Sequence, residues 1–123
     1  MIYKVGMLCK HFKGNDLLEK NIYRIEKLNV NGLDIDENLI NYTGDNELKK
    51  ATNLVVYSNI FQDNKLFCRE YEDISQELSE EKQLMYNQTL KVQPLTEEEE
   101  SLIKSNDFID NKKQYILAKY SSK

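Results

Sequence analysis

The sequence predicts a mainly β, α+β domain, with antiparallel strands forming a barrel-like core and helix added near the C-terminus. Three observations predict it. The stretches Asn53–Phe61 and Lys65–Tyr71 are rich in β-branched and aromatic residues, flank the polar turn Gln62-Asp63-Asn64, and read as a hairpin. Asn21–Val30 is another alternating stretch, followed by the turn dipeptide Asn31-Gly32. Thr96 meets Glu99 at capping-box spacing, with Glu97 and Glu98 in the first turn, where carboxylates complement the helix dipole.

With 123 residues, 40% apolar and 31% charged, the chain can bury one hydrophobic core and is too short for two. One domain over 1–123 is expected: a core over about 1–95, a loop-rich insertion over about 29–53, and a helical extension over about 96–120. No stretch approaches the roughly 18 apolar residues of a membrane span, and the first residues lack an apolar signal core. A cytoplasmic protein with no membrane partner is expected. Cys9 and Cys68, the only cysteines, sit far apart among apolar neighbours, as reduced thiols do. The formal charge of −4 argues against nucleic acid as the main partner, because backbone binding needs a basic footprint. Arg24 and Arg69 are the only arginines, and Lys, Asn and Ile abound, a composition that fits an AT-rich genome such as that of a low-GC bacterium or its phage.

Along the chain, Ile2–Leu8 reads as a strand with Tyr3, Val5 and Met7 on one face, ending before the polar turn Lys13–Asp16. In Asn21–Val30, Ile22, Arg24, Glu26 and Leu28 share one face and Tyr23, Ile25, Lys27 and Asn29 the other. A hairpin from Tyr23 to about Ile35 follows from that alternation and its turn. Asp34–Thr52 shows no period and reads as a loop with at most short elements. In the main hairpin, Leu54, Val56, Ser58 and Ile60 oppose Val55, Tyr57, Asn59 and Phe61. Glu72–Glu81 carries Ile74 and Leu78 four apart among charges, the pattern of a short amphipathic helix. Thr89–Leu95 alternates Leu90 and Val92, and the single proline, Pro94, marks its end or an edge position. Beyond Thr96, Leu102, Ile109 and Ile116 recur every seven residues with Ile103, Leu117 and Tyr120 beside them. One helix or a pair broken at Ser105-Asn106-Asp107 is predicted.

Chemistry-bearing groups are sparse. His11 is the only histidine, which excludes multi-histidine metal sites. Cys9 and His11 would share a face of an extended strand, yet no third group is positioned to orient the histidine, so a buried thiol beside a structural histidine is expected, not a nucleophile. Asp34, Asp36 and Glu37 lack calcium-loop spacing, and Glu97–Glu100 reads as a charged helix start. Phosphate-loop, dinucleotide and nucleophile-elbow motifs are missing. No metal, no cofactor and no catalytic residue is expected. The remaining constellation is Lys10, His11, Lys13 and Gly14 in a tight turn, joined by Arg24 and Arg69 on strands. Lysines, a histidine and turn N–H groups together make a local anion site. Tyr23, Tyr57 and Tyr71, with Phe12 and Phe67, could stack on a planar ligand or fill the core.

With HFKG at 11–14, IYRI at 22–25, LVVY at 54–57 and FCREYEDISQEL at 67–78, the chain resembles a family of small bacterial and phage proteins called domain of unknown function 1653. The order of the blocks is the same. Three features differ: residues 29–53 make a long insertion, Glu70 stands where a proline is usual after the arginine, and the tail from Thr96 extends past the family domain. The resemblance implies a small SH3-like β-barrel and no assigned activity. By position it matches His11, Lys13, Tyr57 and Arg69 to recurring polar and aromatic residues of the family.

The expected function is therefore a non-catalytic binding domain for a small, anionic, nucleotide-like ligand at Lys10, His11, Lys13, Gly14, Arg24, Tyr57, Arg69 and Tyr71. The alternative is a protein-interaction module, self-associating or a phage factor that inhibits a host protein, acting through the insertion and the C-terminal helix.

Overall fold

A computed structural model describes residues 2–121. The strands are β1 (Leu8–His11), β2 (Ile22–Val30), β3 (Ile40–Tyr42), β4 (Leu54–Asn59), β5 (Lys65–Glu70) and β6 (Val92–Pro94); the helices are α1 (Tyr71–Ile74), α2 (Glu80–Tyr86), α3 (Glu97–Ile103) and α4 (Asn106–Ser121). The fold is mixed α+β, with one six-stranded sheet in the order β3-β5-β4-β2-β1-β6. Every pairing is antiparallel except β3 with β5. No helix among the described residues is long and apolar enough to cross a membrane.

The sheet is open, so the expected barrel closure does not form. The connection from β2 to β4 lays β3 outside β5, parallel to it, and so extends the sheet at the edge that closure would use. At the other edge β6 carries Pro94, which has no N–H to offer a further strand. β3 and β6 each contribute three residues, short enough to leave little unpaired backbone.

The β4–β5 hairpin forms as expected, with Asp63 and Asn64 at φ 55° and 53° in its turn; asparagine and aspartate tolerate that left-handed backbone. The strand expected at Ile2–Leu8 does not form. Gly6 sits at φ 87°, a turn brings Met7 N–H to the Lys4 carbonyl at 3.0 Å, and the strand begins at Leu8. Tyr3 is then free to plug the core, where its hydroxyl donates to the carbonyls of Ile74 (2.9 Å) and Val92 (2.6 Å). Asn31-Gly32 does turn the chain, but into a 3₁₀ turn capped by Asn31 Oδ1 accepting from Leu33 N–H at 3.1 Å. No return strand follows at 33–35; β2 pairs instead with β1 and β4. The single helix expected over Glu72–Glu81 is divided into α1 and α2, because Leu78 pairs backbone with Thr89 and Ser79 caps a new helix by accepting from Lys82 N–H. The C-terminal segment is a helix pair, and Thr96 and Glu99 form the full capping box.

Each sheet face carries its own packing. On one, Cys9, Tyr23, Ile25, Val55 and Tyr57 pack with Tyr3, Ile74 and Val92. On the other, Leu54, Val56 and Cys68 lie under Ile35, Leu48 and Ala51 of the insertion. Ile22 lies on that same face under Ile103 and Phe108 of α3 and α4, with Leu17. The insertion and the C-terminal helices thus cover two parts of one face, which leaves the opposite face to the amino-terminal segment and α1.

Candidate anion-binding site

Strand alternation divides the KHFKG segment between the two faces. Cys9 and His11 join the tyrosine face, while Lys10 points to the face covered by α3. The His11 ring lies 4.8 Å from Phe12 and 6.4 Å from Tyr23, centroid to centroid. Tyr23 contacts Tyr57 at 4.6 Å, and Tyr57 stacks on Phe67 at 5.9 Å with 19° between planes. Cross-strand register brings these rings together: Tyr57 stands opposite Ile25 on β2 and Phe67 on β5.

Arg69 is two residues beyond Phe67 on β5 and therefore on the same face. Its guanidinium pairs with Asp73 of α1, whose other oxygen receives Lys91 Nζ at 2.7 Å. The buried Arg69 Nε has no acceptor among the described residues. Lys13 closes the cluster: its backbone N–H donates to His11 Nδ1 at 3.3 Å, and its ammonium lies 6.0 Å from the Phe12 ring centroid.

These surroundings set the protonation of His11. Burial pushes its pKa down to about 4, and the positive charges of Lys13, Arg69, Lys91 and Lys20 push the same way. The imidazole is neutral at pH 7 and sits in a cationic field on an acidic chain. Cys9 is fully buried and its thiol is pushed up to about 12 by burial, so it carries no thiolate near neutrality. Burial also raises Tyr23 and Tyr57, whose hydroxyls stay protonated.

Of the expected site residues, His11, Lys13, Tyr57 and Arg69 come together. Lys10 does not join them, since its ammonium is held 2.6 Å from Glu99 on the other face. Arg24 also lies on that face, 3.6 Å from Glu26. Gly14 shapes the turn at φ 115°, where an added Cβ would approach Glu19 and Lys20 at 3.0–3.1 Å. Tyr71 packs edge-on against Tyr3 at 5.7 Å and accepts from Ile2 N–H at 3.2 Å. Lys91 and Asp73 were missed by sequence reasoning. Their place depends on β6 pairing with β1, which sets Val92 opposite His11, and no local pattern announces that.

The heptad stripe is only partly the packed face. Ile103, Phe108 and Lys112 are buried, whereas Leu102 stays exposed and Ile109 and Ile116 are half-buried. Beside α4, a groove of about 720 Å³ runs between Leu17, Leu18, Leu102, Tyr115 and Ala118. Among the described residues, no group of three His, Cys, Asp or Glu side chains is placed to hold a metal ion.

The depressed His11 has a measurable consequence. An unfolded chain takes up a proton near pH 6.5 and the folded one only near 4, so the stability His11 contributes is intact above 6.5. It drains away as pH falls to about 4, by about 3 kcal/mol. Denaturant melts from pH 7 to 4 are expected to show His11→Gln losing less stability than wild type. Identical profiles, or a His11 NMR titration centred near 6.5, would contradict this reading.

Comparison of the chain with protein-family models, curated proteins and solved structures finds no match.

Proposed function

We propose that the chain is a non-catalytic binding domain for a small anionic ligand bearing a planar ring, a nucleotide by chemical class. The site is the rim formed by His11, Lys13, Phe67, Arg69 and Lys91. One observation supports this above others: three cationic side chains converge on a neutral imidazole beside stacked rings, on a chain of net charge −4. Arg69 and Lys91 share a single carboxylate, Asp73. They keep donors for an oxyanion, which charge-assisted hydrogen bonds would hold. Phe67, half-buried at the end of the ring row, offers the stacking surface, because Tyr23 and Tyr57 are largely covered.

The same reading takes the chain as an outlying cytoplasmic relative of domain of unknown function 1653. An SH3-like ancestor would have been opened by the insertion over about 29–53. Its support is that the IYRI and LVVY blocks lie on the paired strands β2 and β4, while the HFKG block begins at His11, the last residue of β1, which also pairs with β2.

His11 makes the test direct, since its imidazole signals are the only ones of their kind in the protein. Titration with a panel of nucleotides is expected to raise the melting temperature for at least one member. It should also move the His11 pKa upward as the ligand's charge offsets its cationic neighbours. Arg69→Ala and Lys13→Ala should each weaken that ligand about tenfold or more. If no nucleotide shifts melting or the His11 signals, the proposal fails.

A further inference from the structure

On the opposite face of the sheet two lysines are buried side by side. Lys10 is 8% exposed and Lys20 only 2%, and both line a polar cavity of about 200 Å³ together with Asn15, Asp16, Leu17, Asn87 and Glu99. Lys20 Nζ donates to the Tyr86 carbonyl at 2.7 Å and to Gln88 Oε1 at 2.9 Å. Lys10 Nζ donates to Glu99 Oε2 at 2.6 Å. Two ammonium groups carry six N–H donors, and these bonds use three of them.

Adjacent buried cations repel each other, and the charge on Lys10 lowers the pKa of Lys20 after burial itself. An anion between them relieves both penalties. Glu99 supplies one from α3, held by a second tie, its Oε1 accepting from Thr96 N–H at 3.0 Å. Its side chain is 21% exposed, so its carboxylate has a route to water. Asp16, the other carboxylate of the cavity, is engaged by Glu19 N–H at 3.1 Å.

We propose that this cavity is a binding site for a small tetrahedral oxyanion, of the class of inorganic phosphate, with Glu99 as a built-in competitor for Lys10. The bound anion bridges Lys10 and Lys20, takes further hydrogen bonds from the Asn15 and Asn87 amides, and sends the Glu99 carboxylate to solvent. Size sets the class. A cavity of about 200 Å³ corresponds to roughly six or seven waters and falls below the roughly 300–1,000 Å³ of sites for larger ligands. A nucleotide belongs on the His11 face; the lysine cavity takes an ion or a short phosphorylated molecule, and its existence does not depend on the nucleotide reading.

Glu99→Gln provides the test, because glutamine at that position still completes a capping box while the competing charge is gone. Phosphate titrations, followed by thermal melting and by amide shifts, use wild type, Glu99→Gln, and Glu99→Gln combined with Lys10→Met. Glu99→Gln should bind inorganic phosphate at least tenfold more tightly than wild type, and the double variant should lose the gain. In wild type, the largest shifts should fall on the Asn15 and Asn87 amides, with a smaller effect on the His11 ring signals through the Lys20 charge. Chloride at equal ionic strength serves as the control for screening, and glycerol phosphate tells free phosphate from a phosphoryl group on a short carrier. Equal affinity in wild type and Glu99→Gln, or undiminished binding in the double variant, would overturn the proposal, as would phosphate shifts confined to His11.

Discussion

Replacing Lys112 by methionine is expected to destabilise the protein by about 3 kcal/mol, although the substitution removes a buried charge. Lys112 is 3% exposed, and its ammonium donates to the carbonyls of Leu17 (2.8 Å), Leu18 (2.6 Å) and Lys20. Two effects compete. Burial costs the ammonium solvation and pulls its pKa down to about 8, so a neutral apolar side chain recovers that cost. Against this, methionine leaves three carbonyls of the 17–20 turn without their donor, at about 1–3 kcal/mol for each one that water cannot reach. The acceptors outnumber the charge, and destabilisation wins.

Because Lys112 is the point where α4 grips that turn, the loss should be local first. Hydrogen exchange should quicken in α4 and in residues 16–20 ahead of the β2–β4 pairing. Lys113→Met, one residue on and exposed, should change stability by less than about 0.5 kcal/mol. A Lys112→Met protein that melts with wild type would mean that solvation, not the carbonyl cage, governs this contact.

Lys112 also illustrates what a sequence hides. Read along a helix, it is one more lysine on a polar flank, and the apolar period pointed to Leu102, Ile109 and Ile116. The interruption at Lys104–Ser105 rotates the second helix relative to the first, so Phe108 and Lys112 take the inward positions. Features coded locally were legible: the Thr96–Glu99 capping box and the β4–β5 hairpin with its Asp63-Asn64 turn, whereas the sequence left one C-terminal helix or two equally open. Features fixed by distant pairing were not legible. The amino-terminal strand was misplaced because Gly6 turns the chain where alternation seemed to continue, and the barrel failed to close because β3 adds in parallel at the edge. For the candidate site, the sequence offered a charged turn with strand arginines, and the resemblance picked out His11, Lys13, Tyr57 and Arg69 by position; strand pairing then brings those four to one face. Lys10 was grouped with them by adjacency alone, and a period of two sends it to the other side of the sheet.

Gly32→Ala is expected to cost about 3–5 kcal/mol, and its signature should appear at a cysteine far along the chain. The Gly32 backbone is not in the left-handed region; its constraint is contact. A methyl group there would overlap the Leu48 carbonyl oxygen and press on the Leu48 carbonyl carbon at 2.9 Å and the Ala51 oxygen at 3.0 Å. Those atoms are backbone, so the strain cannot be relieved by turning a side chain. The two 3₁₀ turns of the insertion, Gly32–Asp34 and Leu48–Lys50, must part, with loss of the Gly32 N–H to Ala51 carbonyl bond of 2.9 Å. Ile35, Leu48 and Ala51 form the cover over Leu54, Val56 and Cys68, and a parted insertion lifts that cover. Cys9 lies in the other packing cluster, beneath Tyr3 and Ile74, and should stay protected. In the native protein both thiols are buried and pushed up, Cys9 to about 12 and Cys68 to about 11, so neither should react promptly with a thiol reagent. In Gly32→Ala, mass spectrometry of labelled peptides should find Cys68 modified well before Cys9. Equal labelling of the two would point to global unfolding, and protection of both would show that the 48–51 turn yields without releasing the sheet.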